Sequence, residues 1–223
     1  MNRNVLKVIA IVAMLIDHIG WLFFPNVLFL RIIGRLAFPI FAFFIAEGMR
    51  YTRNRKAYIH NLIRFALITE PAFLILFKWL HLNILFTFLI AVILICLIDG
   101  IKTNKKRNTT WIILISVFMI IAEVFNLFNY GITGVLVILV FYYSKNLQRA
   151  CGINSVILAF YSVQCMFSSG FSNRSVAQIF SLLSLLLIAC CYNGNKGKLN
   201  LKYLFYWFYP VHLTIFAIIK LIL

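Results

Sequence analysis

Nearly the whole chain consists of long apolar runs separated by short polar connections. A helix needs about 20 apolar residues, at about 1.5 Å per residue, to cross roughly 30 Å of hydrocarbon. Lipid offers no hydrogen-bond partners, so each run must satisfy its own backbone as a helix. The pattern predicts an all-α polytopic integral membrane helix bundle. About nine helices are expected, with eight to ten as the range, near 5–24, 28–49, 59–79, 82–101, 110–127, 130–144, 151–170, 175–192 and 201–222.

Composition supports the membrane assignment. Of 223 residues, 64% are hydrophobic and only 12% are charged, far from the balance of a water-soluble protein. The first run is long enough to span a membrane and lacks a small-residue cleavage site, so we expect it to be retained. No linker or low-complexity segment interrupts the series, and residues 1–223 are expected to form a single transmembrane domain.

Lys and Arg are distributed unevenly between the two sets of connections. The positive-inside rule therefore predicts a cytoplasmic N-terminus and, with nine spans, a C-terminus on the other side. The formal charge of +16 is typical of basic cytoplasmic loops and indicates no nucleic-acid partner. The cytoplasmic set is Arg3, Lys7, Arg50, Arg53, Arg55, Lys56, Lys102, Lys105, Lys106, Arg107, Lys145, Arg149, Lys196, Lys198 and Lys202, and the opposite set is Lys78, Arg174 and Lys220.

Ionisable residues lie inside the predicted spans. The chain has only five acidic residues, yet Asp17, Glu70 and Glu123 fall within apolar runs, as do three arginines. A charge at the centre of a membrane helix costs about 2.5 to 3.5 kcal/mol on insertion scales, so these groups need a partner or a wet cavity. The three arginines are Arg31, Arg35 and Arg64.

Helical geometry tests which of these groups can meet. His18 and Arg35 both lie roughly 9 to 11 Å below the predicted outer interface, and Glu70 and His212 can line the same cavity. Adjacent helical residues diverge by about 100°, so Asp17 and His18 cannot form a dyad, and one of them needs a partner on another helix. No two histidines or carboxylates show metal-ligand spacing, so no metal site is expected.

Several separated motifs resemble those of a known family. The segments "LKVIAIVAMLIDHIGWLFFP", "LRIIGRLAFPIFAFFIAEGMRYTRNRKAY", "LNILFTFL", "YGITGVL" and "YWFYPVHL" are similar to the TraX family of F-pilin acetylase-like proteins, within a wider group of transmembrane acyltransferases. The resemblance implies an acetyltransferase that takes its acetyl group from cytosolic acetyl-CoA. His18 matches a first-helix histidine implicated in catalysis. Lys7 stands where the wider group has an arginine, which keeps the charge but loses the bidentate fork.

The candidate residues can be assigned roles on that basis. A neutral imidazole can accept the acceptor's proton, so His18 is the candidate base, and an acidic partner, Glu70 or Asp17 from a neighbouring subsite, can fix its tautomer. Arg35 can stabilise the tetrahedral oxyanion. The candidates for binding the acceptor, the pantetheine arm or the donor phosphates are Lys7, Arg53, Arg55, Lys56, Lys106, Asn83, Thr87, Tyr209 and His212.

Other interpretations of the same residues stay open. Arg35 and Glu70 can form an ion pair that locks two helices, and Arg31 is expected to extend its side chain to the interface. The acceptor is an amine or hydroxyl of a peptide or glycan, with the N-terminal amine of a pilin-like peptide suggested by the resemblance. The expected location is a bacterial cytoplasmic membrane. The alternatives are a small proton- or ion-coupled transporter or flippase and a non-catalytic assembly partner.

Overall fold

A computed structural model describes residues 1–77, 81–170, 172–195 and 202–222. In these residues the chain is helical apart from short connections and one isolated bridge between Leu82 and Phe128. This confirms the all-α prediction. The predicted helix ends at 79 and 201, together with Lys78, Lys196 and Lys198, lie outside the described residues.

The helices follow the predicted runs closely. Two 3₁₀ turns, Gly100–Lys102 and Gln178–Phe180, and one π-helical turn, Leu187–Cys191, adjoin them. The α-helices of the described residues are α1 (Arg3–Leu22), α2 (Leu28–Gly34), α3 (Ala37–Tyr51), α4 (Arg55–Phe77), α5 (Ile84–Asp99), α6 (Lys105–Val124), α7 (Gly131–Tyr143), α8 (Leu147–Ser169), α9 (Asn173–Ala177), α10 (Ser181–Leu186) and α11 (Lys202–Ile222).

Nine apolar helical segments are present in the described part of the chain. Five are long and apolar enough to cross a membrane, and four shorter apolar helices accompany them. The chain is therefore a multi-pass membrane protein. The five long segments are Arg3–Leu22, Leu28–Tyr51, Arg55–Phe77, Lys105–Val124 and Leu147–Ser168, and the four shorter ones are Ile84–Asp99, Gly131–Tyr143, Ser175–Cys191 and Tyr206–Ile222.

The second predicted helix is divided in two. The α2 helix ends at Gly34 and α3 begins at Ala37, so the run predicted over 28–49 contains a break. Pro39 explains it, because a proline has no backbone N–H and its ring clashes with the carbonyl four residues earlier, here that of Arg35. The first turn of a helix tolerates such a residue, and α3 starts two residues before Pro39.

Asparagine side chains begin several of the helices. The Asn2 side chain accepts from the backbone N–H of Val5 at 3.0 Å and caps α1. Asn83 and Asn146 cap α5 and α8 in the same way. A side-chain oxygen at this position satisfies one of the free N–H groups of the first turn. The asparagines of the short connections therefore have a structural use at helix starts.

The chain divides into two compact units, and each is described by itself. Unit 1 is Met1–Phe44 with Tyr143–Phe208, and unit 2 is Ile45–Tyr142 with Tyr209–Leu223. In unit 1, α1 packs closely against α2. A Cβ added to Gly20 would lie 2.7 Å from Leu30 Cβ, so glycine permits this approach. In unit 2, the most extensive helix pairing is between α4 and α5.

Candidate functional site

A buried ion cluster joins α1 to α2 in unit 1. Asp17 Oδ1 accepts from Arg31 Nη1 at 2.8 Å and from Arg35 Nη2 at 2.8 Å, and Oδ2 accepts from Arg35 Nη2 at 3.0 Å. Arg31 Nη1 also donates to the Asp17 backbone oxygen at 3.1 Å. The aspartate thus has its ionic partners on the following helix, and α1 and α2 are fastened together by charge-assisted hydrogen bonds.

The cluster is largely removed from solvent. The side chains of Arg31, Arg35 and Asp17 are only 6%, 12% and 20% exposed. The expectation that Arg31 extends to the interface is therefore wrong. Its distance from the end of the apolar run suggested an interfacial position, but the carboxylate of Asp17 on the neighbouring helix holds the guanidinium in the interior.

Gln178 is a partner that the sequence analysis missed. It lies in the 3₁₀ turn between α9 and α10, is 4% exposed, and its Oε1 accepts from Arg35 Nη1 at 3.1 Å. A polar amide within the apolar run "VAQIFSLLSLLLIA" was the available signal, because such residues inside spans usually face a partner.

A glycine makes room for the cluster. A Cβ placed on Gly34 would overlap the Asp17 carboxylate. Any side chain at this position must therefore displace either α2 or the ion pair. The "RIIGR" segment thus places two arginines one helical turn apart and leaves space between them for an acid from α1.

His18 and Lys7 belong to the same unit. His18 is half-buried, directly follows Asp17, and interacts with it electrostatically. The Lys7 Nζ lies 5.5 Å from the centre of the Phe44 ring, which is cation–π geometry. The structure therefore places a potential base next to a buried charged cluster, while the chemical roles of His18 and Lys7 stay predictions.

Glu70 occupies a separate polar cluster in unit 2. Its Oε2 accepts from Asn83 Nδ2 at 2.6 Å and from the Asn83 backbone N–H at 3.2 Å. Asn83 is fully buried, and its Nδ2 also donates to the Ala66 carbonyl at 2.9 Å. These bonds tie α4 to α5, and they use both hydrogens of the Asn83 amide.

Thr87 is likewise engaged within unit 2. Its Oγ1 donates to the backbone oxygen of Asn129 at 2.8 Å, and the residue is fully buried. To donate to a ligand, Asn83 and Thr87 would have to break their present hydrogen bonds and form new ones. Their predicted contact with an acceptor or a pantetheine arm stays a prediction.

The "YPVHL" segment lies in α11. Tyr209 and His212 are 6% and 5% exposed, with ring centres 5.8 Å apart, and the Phe216 ring lies 5.8 Å from that of His212. Tyr209 interacts with Glu70 and with the backbone of Ile84. In unit 2 the structure therefore brings Tyr209 together with the Glu70 cluster.

The predicted phosphate-binding residues differ in their surroundings. Arg55 Nη1 pairs with Asp99 Oδ2 at 2.7 Å, and its Nη2 donates to the Tyr142 hydroxyl at 2.8 Å. Arg55 therefore already has a carboxylate partner that balances its charge. The side chains of Arg53, Lys56 and Lys106 are exposed, as a site for a soluble anion requires.

The described residues contain no group of three or more His, Cys, Asp or Glu side chains that could hold a metal ion. Unit 1 presents a pair of guanidinium groups fixed on Asp17 and an imidazole at the next residue, His18. Guanidinium groups held in place can stabilise developing negative charge, and an imidazole can move a proton.

Comparison with known proteins identifies a family and several relatives. A family model described as "TraX protein" matches residues 2–220. The chain is 27% identical over 259 aligned residues to the probable fimbrial assembly protein FimC, serogroup H1, of Dichelobacter nodosus, and the match covers all of both chains. It is also 28% identical over 145 residues to protein TraX of Escherichia coli, covering 63% of this chain and 55% of that protein.

A third relative is an uncharacterized protein of Rickettsia prowazekii (strain Madrid E). It is 39% identical over 84 residues, which cover 37% of this chain and 32% of that protein. No solved structure matches the chain. The family model accounts for nearly the whole sequence and confirms the resemblance carried by the separated motifs. The chain therefore belongs to the TraX family.

Proposed function

We propose that this protein is an integral membrane acetyltransferase that moves an acetyl group from cytosolic acetyl-CoA to an amine or hydroxyl. The observation that carries the proposal is the position of His18 beside the buried Asp17–Arg31–Arg35 cluster, in a chain that belongs to the TraX family. The resemblance of the motif around His18 to transmembrane acyltransferases supports assigning the chemistry to unit 1.

The reaction balances with a single base. The acceptor nitrogen or oxygen attacks the thioester carbonyl, its bond to the acetyl carbon forms, and the carbon–sulfur bond breaks. His18 accepts the acceptor's proton and returns it to the departing thiolate, so that the products are the acetylated acceptor and free coenzyme A. No oxidant, reductant or metal is required.

Arg35 and Asp17 take complementary parts in the proposal. The guanidinium of Arg35 stabilises the oxygen of the tetrahedral intermediate, and its contacts with Asp17 and Gln178 hold it in place beforehand. Asp17 is then a positioning residue that acts through the arginines. Preorganisation of this kind is effective because the charged groups do not have to reorient during the reaction.

The donor is assigned from the chemistry of exposed cations, and the acceptor from the name of a relative. Arg53, Lys56 and Lys106 are exposed cations suited to the phosphates of coenzyme A. The Dichelobacter nodosus relative is named a probable fimbrial assembly protein, which supports a pilin-like peptide as the acceptor and a bacterial cytoplasmic membrane as the location.

The same name favours a second candidate. A protein that assists fimbrial assembly without catalysis would use its membrane surface to hold a subunit, and the relative so named matches along its whole length. Such a protein would have no need for a thioester donor. Binding and turnover of acetyl-CoA therefore separate the two functions.

The test uses purified full-length protein in a maltoside detergent with radiolabelled acetyl-CoA. We expect saturable binding and slow hydrolysis by the wild type, with hydrolysis reduced at least about a hundredfold in His18→Gln, the range of general-base contributions. His60→Gln is the matched control because His60 is an exposed histidine on α4. All three proteins must elute as single folded species.

Two results would overturn the proposal. A folded wild type that neither binds nor hydrolyses acetyl-CoA excludes acetyl-CoA as the acetyl donor. The assembly and ion-transport alternatives then remain, and a proton-flux assay in vesicles distinguishes them. Equal hydrolysis by wild type and His18→Gln removes His18 from the chemistry.

A further inference from the structure

Two buried polar groups, one on the turn that contacts Arg35 and one directly after it, lack a partner among the described residues. They are Nε2 of Gln178 and Oγ of Ser181, in residues that are 4% and 0% exposed. A buried donor without an acceptor is destabilising by about 1 to 3 kcal/mol. Membrane proteins retain such groups where a ligand or water satisfies them.

Backbone geometry brings the two groups to one side. Gln178–Phe180 is a 3₁₀ turn, and with three residues per turn the side chain of Ser181 follows that of Gln178 along the same face. The amide oxygen of Gln178 accepts a hydrogen bond from Arg35. A guanidinium group can only donate, so the Nε2 of Gln178 has no acceptor in Arg35 although it lies beside that group.

The local charge is positive. Asp17 is the single acidic residue in the sequence of unit 1, and two arginines share it. Two guanidinium groups thus share one carboxylate in a largely buried setting, and an anion bound there would add negative charge beside them.

We propose that Arg35, Gln178 and Ser181 form a binding subsite for a phosphate group. The guanidinium supplies charge, and the amide and hydroxyl supply donors in different directions, an arrangement that suits the several oxygens of a tetrahedral phosphate. The subsite lies at the depth of Asp17, which is about five residues, or roughly 8 Å along the helix axis, from the end of α1 at Leu22. A phosphate at this depth can belong to a lipid headgroup or to a soluble phosphate ester.

The inference goes beyond acetyl transfer and does not require it. A phosphate bound to Arg35 would occupy the guanidinium that the proposed function assigns to the oxyanion, so the two uses of Arg35 exclude each other at any one time. The experiment measures the thermal unfolding of the full chain in a phosphate-free maltoside. One arm adds dioctanoyl phosphatidylglycerol, with dioctanoylglycerol as its phosphate-free match. The other adds coenzyme A, with pantetheine as its match. We expect at least one phosphate compound to raise the unfolding temperature in a saturable manner, and its match to have no effect.

Variants assign the effect to the subsite. Gln178→Leu removes one donor and is expected to weaken phosphate binding about tenfold, and Ser181→Ala about fivefold. Gln178→Glu places a carboxylate beside Arg35, so it is expected to raise the unfolding temperature without ligand and to abolish the phosphate effect. Ser162→Ala is the control, because Ser162 is a fully buried serine of unit 1 whose hydroxyl donates to the Leu158 carbonyl at 2.7 Å.

The outcomes separate this inference from the proposed function. A phosphate-dependent shift in wild type and Ser162→Ala that is lost in Gln178→Glu supports the subsite, and the responding arm identifies the source of the phosphate. The subsite is overturned if neither arm exceeds its phosphate-free match, or if Gln178→Glu responds like the wild type. If the wild type does not hydrolyse acetyl-CoA but its unfolding temperature rises with the phospholipid, the acetyltransferase proposal is rejected and the subsite is retained.

Discussion

Asp17 holds two arginines that would otherwise be buried without a carboxylate partner in unit 1. We expect Asp17→Asn to lower the free energy of unfolding by about 3 to 5 kcal/mol, because removing one member of a buried ion cluster leaves the others uncompensated. Tryptophan fluorescence during denaturant unfolding in detergent measures the loss.

Asp99→Asn is the matched control for Asp17→Asn. Asp99 pairs with Arg55 at 2.7 Å, but the two side chains are 27% and 39% exposed. Solvent screens such a pair, so its loss is expected to lower the free energy of unfolding by at most about 1 kcal/mol. Similar losses in the two variants would show that burial of the Asp17 cluster adds nothing to its energetic importance.

Gly34 makes a second prediction at the scale of a residue. A methyl group there would overlap the Asp17 carboxylate, so Gly34→Ala is expected to destabilise the fold by about 1 to 3 kcal/mol, the usual range for overpacking. Gly152→Ala is the contrasting variant, because a Cβ on that exposed glycine of α8 would meet nothing within 4 Å. It is expected to stabilise the protein by about 0.5 to 1 kcal/mol. The prediction fails if both alanines change stability in the same direction.

Hydropathy predicted where the helical segments lie but not how each is built. All nine apolar runs correspond to helical segments in the described residues, because an apolar segment in lipid can satisfy its backbone only by forming a helix. The break between α2 and α3 was hidden, since Pro39 is apolar and its effect is on backbone hydrogen bonding.

The site was predictable only in part. The need of either Asp17 or His18 for a partner on another helix followed from helical geometry, and Arg35 was identified as a candidate from its depth. The place of Arg31 in the cluster depends on how α1 packs against the next helix, and that of Gln178 on how helices distant in sequence pack. The pattern along one chain contains neither. Gln178 lies 143 residues from Arg35.

The connection between α6 and α7 gives a prediction at the scale of an element. The Glu123 carboxylate near the end of α6 accepts from the backbone N–H of Ile132 at 2.9 Å, in the first turn of α7. It thereby caps α7 and complements the positive end of that helix. Glu123→Ala is expected to lower stability by about 1 kcal/mol and to speed hydrogen exchange at Ile132.

Glu123→Gln serves as the graded control. Its amide oxygen can still accept from Ile132 but carries no charge, so its exchange rate is expected to lie between those of the wild type and Glu123→Ala. Equal protection of Ile132 in all three proteins would mean that the cap does not stabilise the start of α7.

The described helices expose many large apolar side chains, as expected for helices that face lipid. Along α8, Val156, Phe160, Val163 and Phe167 recur at helical spacing, and Phe160 and Phe167 are 72% and 87% exposed. A water-soluble protein rarely exposes such a stripe, whereas a membrane helix presents it to acyl chains. Asp17, Arg31 and Arg35 are instead collected into a largely buried cluster.

At the scale of the whole molecule, the distribution of Lys and Arg predicts that the N-terminus lies in the cytoplasm. The connection before α4 is then cytoplasmic, and the connection between α6 and α7 is on the opposite side. In a variant whose five cysteines are replaced by alanine, single cysteines at Arg53 and Phe125 report these two positions. Both native side chains are exposed, so the substitutions should be tolerated.

A membrane-impermeant maleimide applied to intact spheroplasts should label Phe125→Cys and leave Arg53→Cys unlabelled until the membrane is opened. Lysed membranes give the matched control, in which both cysteines must react, because otherwise burial rather than sidedness would account for the protection. The reverse pattern would invert the topology. His18, about six residues from the predicted outer end of the first span, would then lie near the cytoplasmic face, and acetyl-CoA could approach it directly. The labelling pattern therefore also determines which substrate must cross most of the membrane to reach His18.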